Sequence, residues 1–489
     1  MRLNLANLPE PEFSPQPVAD PLCLLDACEL LVRMDRGELS AVEIMKAHLS
    51  QIDRFNPAVN AICTRVDGDV LLKQAADADA ARAQGRAGVL CGLPMAVKDL
   101  VATQGIRTTM GSRHADQIPK SDALLVTRLK AAGAVIVGKT NVPEFGAGSH
   151  TFNDLFGVTR NPYDLGRTAG GSSGGAAAAL ATGMLPLADG SDMGGSLRNP
   201  AAFCNVVGFR PSIGRVPSVP TLMAWQSRLA VEGPMARSVR DCARLLSAMA
   251  GPDRRDPLSL VLPPEPFDSL AVDGWDGARV AFSPDLGETT VADTVRSVFE
   301  DATSVFASIG CAVAPDCPDL SGAMDVFRTL RASYYAQSLG PLHRSGASLK
   351  ASLAQNVEAG FALTGEDLTR ADVQRTRLHV NVCRFFDDFD FLVVPSTQVP
   401  PFPVATEWVR EIDGQTMGDY LDWMSICCII SATGLPAISV PCGFTPEGLP
   451  VGLQIVGPPG GDLAVLRLAA AFEAVTGHGR KRPALIAQG

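Results

Sequence analysis

Apolar residues recur at intervals of three and four across 27–36 and 41–55, and alanine dominates 74–84, so residues 20–85 read as a run of helices. Ser40 followed by Glu43 forms a capping box for the second of them. From residue 93 the period shortens. Apolar runs at 93–97 and 134–137 predict strands, and 122–132 and 176–182 predict helices. This alternation continues to about residue 217, which implies a partly parallel sheet covered by helices on both faces. A helix at 241–251, a proline-rich crossing at 252–275 and a strand at Arg279–Phe282 follow. Residues 290–420 read as mostly helical, with a strand at Phe391–Pro395. Strands return at 437–441 and 452–456, and 463–475 is a closing helix. No repeat and no charged or serine-rich linker divides the chain.

Two long uncharged runs, 168–188 and 423–446, invite comparison with a membrane span of ~20 apolar residues. Glycines and Pro186 break the first, and Thr433-Gly434-Leu435-Pro436 breaks the second. Each therefore reads as two buried elements joined by a turn, and no membrane association is expected. The first 17 residues carry four prolines and no apolar stretch, so no signal peptide is expected either. With 46% hydrophobic and 19% charged residues, the 489-residue chain can bury a large core and is not disordered. Its net charge of −10, without a basic stripe, argues against nucleic-acid binding. Twelve cysteines lie mostly in apolar stretches with no CxxC pair, which fits a reducing compartment and a cytoplasmic location.

The six histidines are scattered, at 48, 114, 150, 343, 379 and 478, with no ligand spacing, so no metal is expected. Gly133 to Thr140 matches the phosphate-loop pattern letter for letter. Its Ala-Val-Ile-Val interior is a strand by propensity, whereas a phosphate loop needs flexible residues and then a helix N-terminus. Gly171-Ser172-Ser173-Gly174-Gly175 fits the G-x-S-x-G elbow of serine esterases. Loop-forming residues precede it where a strand is required, leaving Ser173 with His343, His379 or His478 as an alternative catalytic reading.

A wider pattern is more informative. Ser196, in Gly190-Ser191-Asp192-Met193-Gly194-Gly195-Ser196-Leu197-Arg198, follows Ser172 by 24 residues, and both serines sit among glycines. There the backbone can approach a ligand and present N–H groups. Lys98 ends the apolar run 93–97, so its ammonium enters a largely buried site, where desolvation lowers its pKa toward that of a usable base. A buried lysine beside two glycine-serine clusters points to nucleophilic catalysis.

These segments resemble the amidase signature enzymes. The resemblance runs through Gly92-Leu-Pro-Met-Ala-Val-Lys98-Asp99, Thr108-Thr109-Met110-Gly111-Ser112, Gly138-Lys-Thr-Asn-Val-Pro-Glu144-Phe145 and the two serine clusters. It continues at 200–208, Gly233-Pro-Met-Ala-Arg237, Gly434-Leu-Pro-Ala-Ile-Ser-Val-Pro441 and Gly448-Leu-Pro-Val-Gly-Leu-Gln454. It implies an α/β/α fold around a large mixed sheet and one domain. Within it, helices would occupy about 20–85, the motif-bearing core about 88–255 and 425–475, and a variable substrate-shaping helical region about 290–420.

The resemblance implies that Ser196 is the acyl-forming nucleophile, Ser172 a bridging serine joined to Gly171 by a cis peptide, and Lys98 the terminal base. The N–H groups of Met193, Gly194, Gly195 and Ser196 would form the oxyanion hole. Ser191, Asp192, Ser173 and Arg198 would brace the site, with Arg198 paired to Asp192. Cys91, Ser191, Met193 and Ser431 depart from the commoner family residues without removing a catalytic group. The implied reaction is hydrolysis of a small-molecule carboxamide, without cofactor, and a homodimer is allowed. Phe145, Gly146, Trp225 and Trp423 are the candidate substrate-binding residues. With few charges around them, they suggest an apolar or aromatic substrate. Alternatives are an inactive binding member of the family and a glutamine-hydrolysing amidotransferase A-type subunit.

Overall fold

Eleven strands hydrogen-bond into one sheet, and their alternating side chains show how it is covered. In the computed structural model, which describes residues 2–8, 19–226, 229–261, 267 and 269–487, Phe391 and Val393 of strand Phe391–Pro395 join one hydrophobic cluster. Leu392 and Val394 of the same strand join another. Val280 and Phe282 against Ala281 divide in the same way. Successive strand residues point to opposite faces, so both faces are buried, and the architecture is α/β/α.

In chain order the strands are β1 (Ile62–Arg65), β2 (Pro94–Lys98), β3 (Val135–Thr140), β4 (Leu187–Asp192), β5 (Val207–Arg210) and β6 (Val231–Ala236). There follow β7 (Arg279–Phe282), β8 (Ala312–Pro315), β9 (Phe391–Pro395), β10 (Ala437–Phe444) and β11 (Pro450–Val456). Across the sheet they lie in the order β1-β3-β2-β4-β6-β5-β10-β11-β9-β7-β8. Strand β2 is parallel to both β3 and β4, β7 is parallel to β8 and β9, and the remaining pairs are antiparallel. The sheet is mixed, as expected.

Most predicted helices form within a few residues of their expected bounds. The capping box starts Ala41–Val59, with Glu43 N–H donating to Ser40 Oγ at 3.1 Å and Ser40 N–H to Glu43 Oε2 at 2.8 Å. The phosphate-loop look-alike is β3 and the turn before it; Lys139 is buried and donates to Val101 O and Thr103 Oγ1. Each uncharged run is a helix and a strand joined by a turn: Gly174–Ala181 with β4, and Ser425–Thr433 with β10.

One expectation needs correction, and another needs additions. Residues 20–85 are not all helical, because β1 pairs antiparallel with β3 at the sheet edge. Residues 290–420 also contain β8 and, after β9, a largely irregular stretch with a small hairpin, Glu411–Ile412 with Gln415–Thr416. Short edge strands carry too few residues for a period-2 signal to emerge. The proline-rich residues 9–17 and part of the 252–275 crossing lie outside the described residues. No described helix is long and apolar enough to cross a membrane.

Candidate active site

The chain leaves β2 to form β3 on one side of it and returns to form β4 on the other, so β2 lies at a reversal of strand order. Crevices at the carboxyl ends of parallel strands form at such points. Lys98 is the last residue of β2, and Ser191 and Asp192 end β4 alongside it. Between them comes the glycine-serine loop before Gly174–Ala181, a wholly buried, alanine-rich helix that starts directly after Ser173. Small side chains let this helix enter the crevice; a Cβ on Gly175 would lie 2.4 Å from Asn141 N.

This arrangement brings Lys98 onto the serines. Its Nζ lies 2.9 Å from Ser172 Oγ, 2.7 Å from Ser173 Oγ, 3.0 Å from Ser191 Oγ and 3.3 Å from Ser191 O. Lys98 is 0% exposed, and burial lowers its pKa to about 7, against the opposing pull of Asp189, Asp192 and Glu232. The Gly171–Ser172 peptide is cis. Ser196 is 8% exposed, and its carbonyl accepts the Ser173 N–H at 3.3 Å.

Residues 193–196 turn sharply from β4 into helix Arg198–Phe203, and Asp192 holds the turn from beneath. Its carboxylate accepts from Gly195 N–H at 2.9 Å, Leu197 N–H at 3.1 Å and Arg198 Nε at 3.0 Å. Burial pushes the Asp192 pKa up, but Arg198 and Arg210 outweigh it and hold the carboxyl well below the usual range. The Gly195 N–H is therefore committed to Asp192, which corrects its expected place in the oxyanion hole. Among the described residues, the N–H groups of Met193, Gly194 and Ser196 have no acceptor. A Cβ on Gly194 would meet Phe327 Cζ at 2.7 Å, so any larger residue there would push that ring aside.

The proposed substrate-binding residues separate. Gly146, at φ +70°, backs onto the serines, with its missing Cβ position 3.7 Å from Ser172 Oγ. Phe145 packs on an apolar cluster of Ala147, Tyr335, Leu339, Leu353 and Val357. Trp225 is 84% exposed on a loop whose Gln226 donates to Ser333 Oγ. Trp423 is 1% exposed and meets the Phe402 ring edge-on at 5.1 Å, which corrects its expected place on the wall: it is a core residue. The esterase reading finds no geometric support, because no described histidine hydrogen-bonds Ser173. No described group of three or more His, Cys, Asp or Glu is placed to hold a metal ion.

Sequence reasoning missed Asp189, whose Oδ1 accepts the Lys98 backbone N–H at 2.9 Å, Arg210, and Arg331 of helix Ala323–Arg344. Asp189 stands in the apolar run of β4, and a carboxylate there was a readable signal. Nothing local distinguishes Arg331 from its helix neighbours.

A buried lysine of lowered pKa on three serine hydroxyls, beside a turn with free N–H groups, is an arrangement suited to nucleophilic catalysis. The amidase family profile matches residues 43–466. The chain is 37% identical to an acylamidase of Rhodococcus erythropolis over 94% of its own length and 97% of that protein. It is also 37% identical to the A-type subunit of the glutamyl-tRNA(Gln) amidotransferase of Symbiobacterium thermophilum, over 95% and 100% respectively. The structure of a bacterial aryl acylamidase of the amidase signature family superposes with a TM-score of 0.87 at 29% identity, covering 95% of this chain and 100% of that one. The chain belongs to the amidase signature family and is an amide-hydrolysing enzyme.

Proposed function

We propose that this enzyme hydrolyses a carboxamide to an acid and ammonia or an amine through an acyl-enzyme on Ser196. The observation that carries this reading is the 2.9 Å contact of buried Lys98 Nζ with Ser172 Oγ. Neutral Lys98 takes the Ser172 hydroxyl proton as Ser172 takes that of Ser196, whose oxygen attacks the carbonyl carbon. The C=O electron pair moves to oxygen, and the unpaired N–H groups of Met193, Gly194 and Ser196 take up the charge. The tetrahedral intermediate collapses, the C–N bond breaks, and the proton returns from Lys98 through Ser172 to the leaving nitrogen. Water then repeats the cycle on the ester. Ser173 and Ser191 orient Lys98 as hydrogen-bond acceptors, and Asp192 with Arg198 keeps the turn in shape.

The substrate's body is apolar, aromatic or branched. Supporting this, the flank beside Gly146 is the cluster of Phe145, Tyr335, Leu339 and Val357. The likeness to acylamidases runs the same way. A second reading, glutamine hydrolysis that supplies ammonia to a partner, is favoured by the equal likeness to the amidotransferase. Brief incubation with an amide followed by acid quench and mass spectrometry decides the mechanism. An acyl adduct on the Ser196 peptide is expected, and an adduct on Ser173 would overturn the assignment. Ammonia release from glutamine against that from a hydrophobic amide decides between the two substrates.

A further inference from the structure

Three cationic side chains stand on or beside the helices that flank the turn. Arg328 is answered by Asp419 and Asp422, and Lys350 by Glu407 Oε1 at 3.5 Å. Arg331 is 4% exposed, and among the described residues no carboxylate pairs with it. Its Nε and Nη2 donate to Tyr420 Oη at 3.1 and 2.7 Å, and it lies over the rings of Tyr335 and Tyr420 at 4.7 and 5.6 Å. Its Nη1 donates to Met193 Sδ at 3.1 Å. A buried guanidinium normally finds a carboxylate, because ring faces and a phenol repay little of its desolvation. A thioether is among the weakest acceptors a protein offers.

The weak acceptor belongs to the residue that opens the oxyanion turn. Met193 is partly exposed, on a flexible stem that moves between rotamers at little cost. Tyr335, which stacks on the guanidinium, also belongs to the apolar flank on Phe145. Arg331 therefore stands where that flank meets the turn, with one nitrogen held only by a displaceable sulfur. We propose that Arg331 is a substrate-binding residue that takes a carboxylate carried by the amide substrate, an oxygen of which replaces Met193 Sδ on Nη1. This rests on the reading of the site as one for amide hydrolysis, and it refines the substrate to an apolar amide bearing an acidic group. A guanidinium meets a carboxylate in a fixed planar geometry, so lysine is a poor substitute.

The test is binding, by calorimetry, to Ser196→Ala protein of 4-carboxybenzamide and adipic acid monoamide, each against its methyl ester. At least one acid is expected to bind about tenfold or more tightly than its ester, since a charge-assisted pair is worth more than a neutral one. Adding Arg331→Met should abolish that preference and leave the ester's affinity within about threefold, and Arg331→Lys should recover only part of it. In the Ser196-intact enzyme, Arg331→Met should raise KM for the acid with little change in kcat. Acids that bind no better than their esters, or a preference that survives Arg331→Met, overturn the proposal. If Arg331→Met does not fold, Arg331→Lys decides: an undiminished preference overturns the proposal. Because binding is read without acylation, failure here leaves hydrolysis at Ser196 untouched, and loss of the Ser196 assignment leaves this result standing.

Discussion

The backbone N–H of Lys98 donates to Asp189 Oδ1 at 2.9 Å, tying the end of β2 to the middle of β4. The contact places a buried carboxylate near the lysine that the proposed mechanism needs neutral. Burial lowers the Lys98 pKa, and Asp189 is the first of the groups that raise it. Asp189→Asn should therefore shift the rise of kcat/KM to lower pH. An unmoved midpoint would mean that Asp189 is already protonated, in keeping with its upward shift on burial.

In the proposed mechanism, activity depends on neutral Lys98, whose pKa burial lowers to about 7 against an ordinary 10.5. The rate should climb as pH rises through about 7 and level off above it, and chelators should leave it unchanged. A rate that falls over the same interval would rule out lysine as the base.

The same shift has a consequence for stability. Between about pH 7 and 10.5 the unfolded lysine binds a proton that the folded one does not. Stability therefore rises with pH in that window, by up to about 1.4 kcal/mol per unit. Lys98→Met removes the penalty, so it should be more stable than wild type at pH 7.5, with the gap narrowing by about 2 kcal/mol at pH 9.5. Urea melts at the two values check this; a constant gap would mean that the lysine is not buried neutral.

Among the proposed catalytic residues, Ser196→Ala should lower kcat by about 10⁴-fold or more with the fold intact, and Lys98→Ala by nearly as much. Ser172→Ala should fall close behind, because both proton transfers pass through it. The double variant Lys98→Ala/Ser196→Ala should be no worse than either single one. Additive losses in steady-state kinetics would show that the two do not act as a unit.

Asp192→Asn leaves Arg198 and Arg210 buried without their carboxylate. Removing one partner of a buried ion pair costs about 3–5 kcal/mol, so the melting transition should move down sharply. Activity should fall further than stability explains, since Gly195 and Leu197 lose their anchor. Wild-type stability in this variant would contradict the ion-pair account.

Much of this enzyme could be read along the chain. The strand–helix alternation from residue 93, the breaks in the two uncharged runs and the capping box at Ser40 are local, and local propensity and period reveal them. Lys98, Ser172, Ser173, Ser191 and Ser196 were legible as a set because each sits beside glycine or at the end of an apolar run. Other features were not legible, because they depend on which strands become neighbours. Only the reversal of strand order at β2 brings Lys98 and Asp189 together. Only the packing of Asp192 beneath its own turn uses up the Gly195 N–H and leaves three donors free. Trp423 looked the same in sequence whether it lined a site or filled the core, and packing against Phe402 put it in the core. Arg331 lies 135 residues beyond Ser196, so its place at Met193 follows from how one long helix docks on the sheet, which no local pattern encodes.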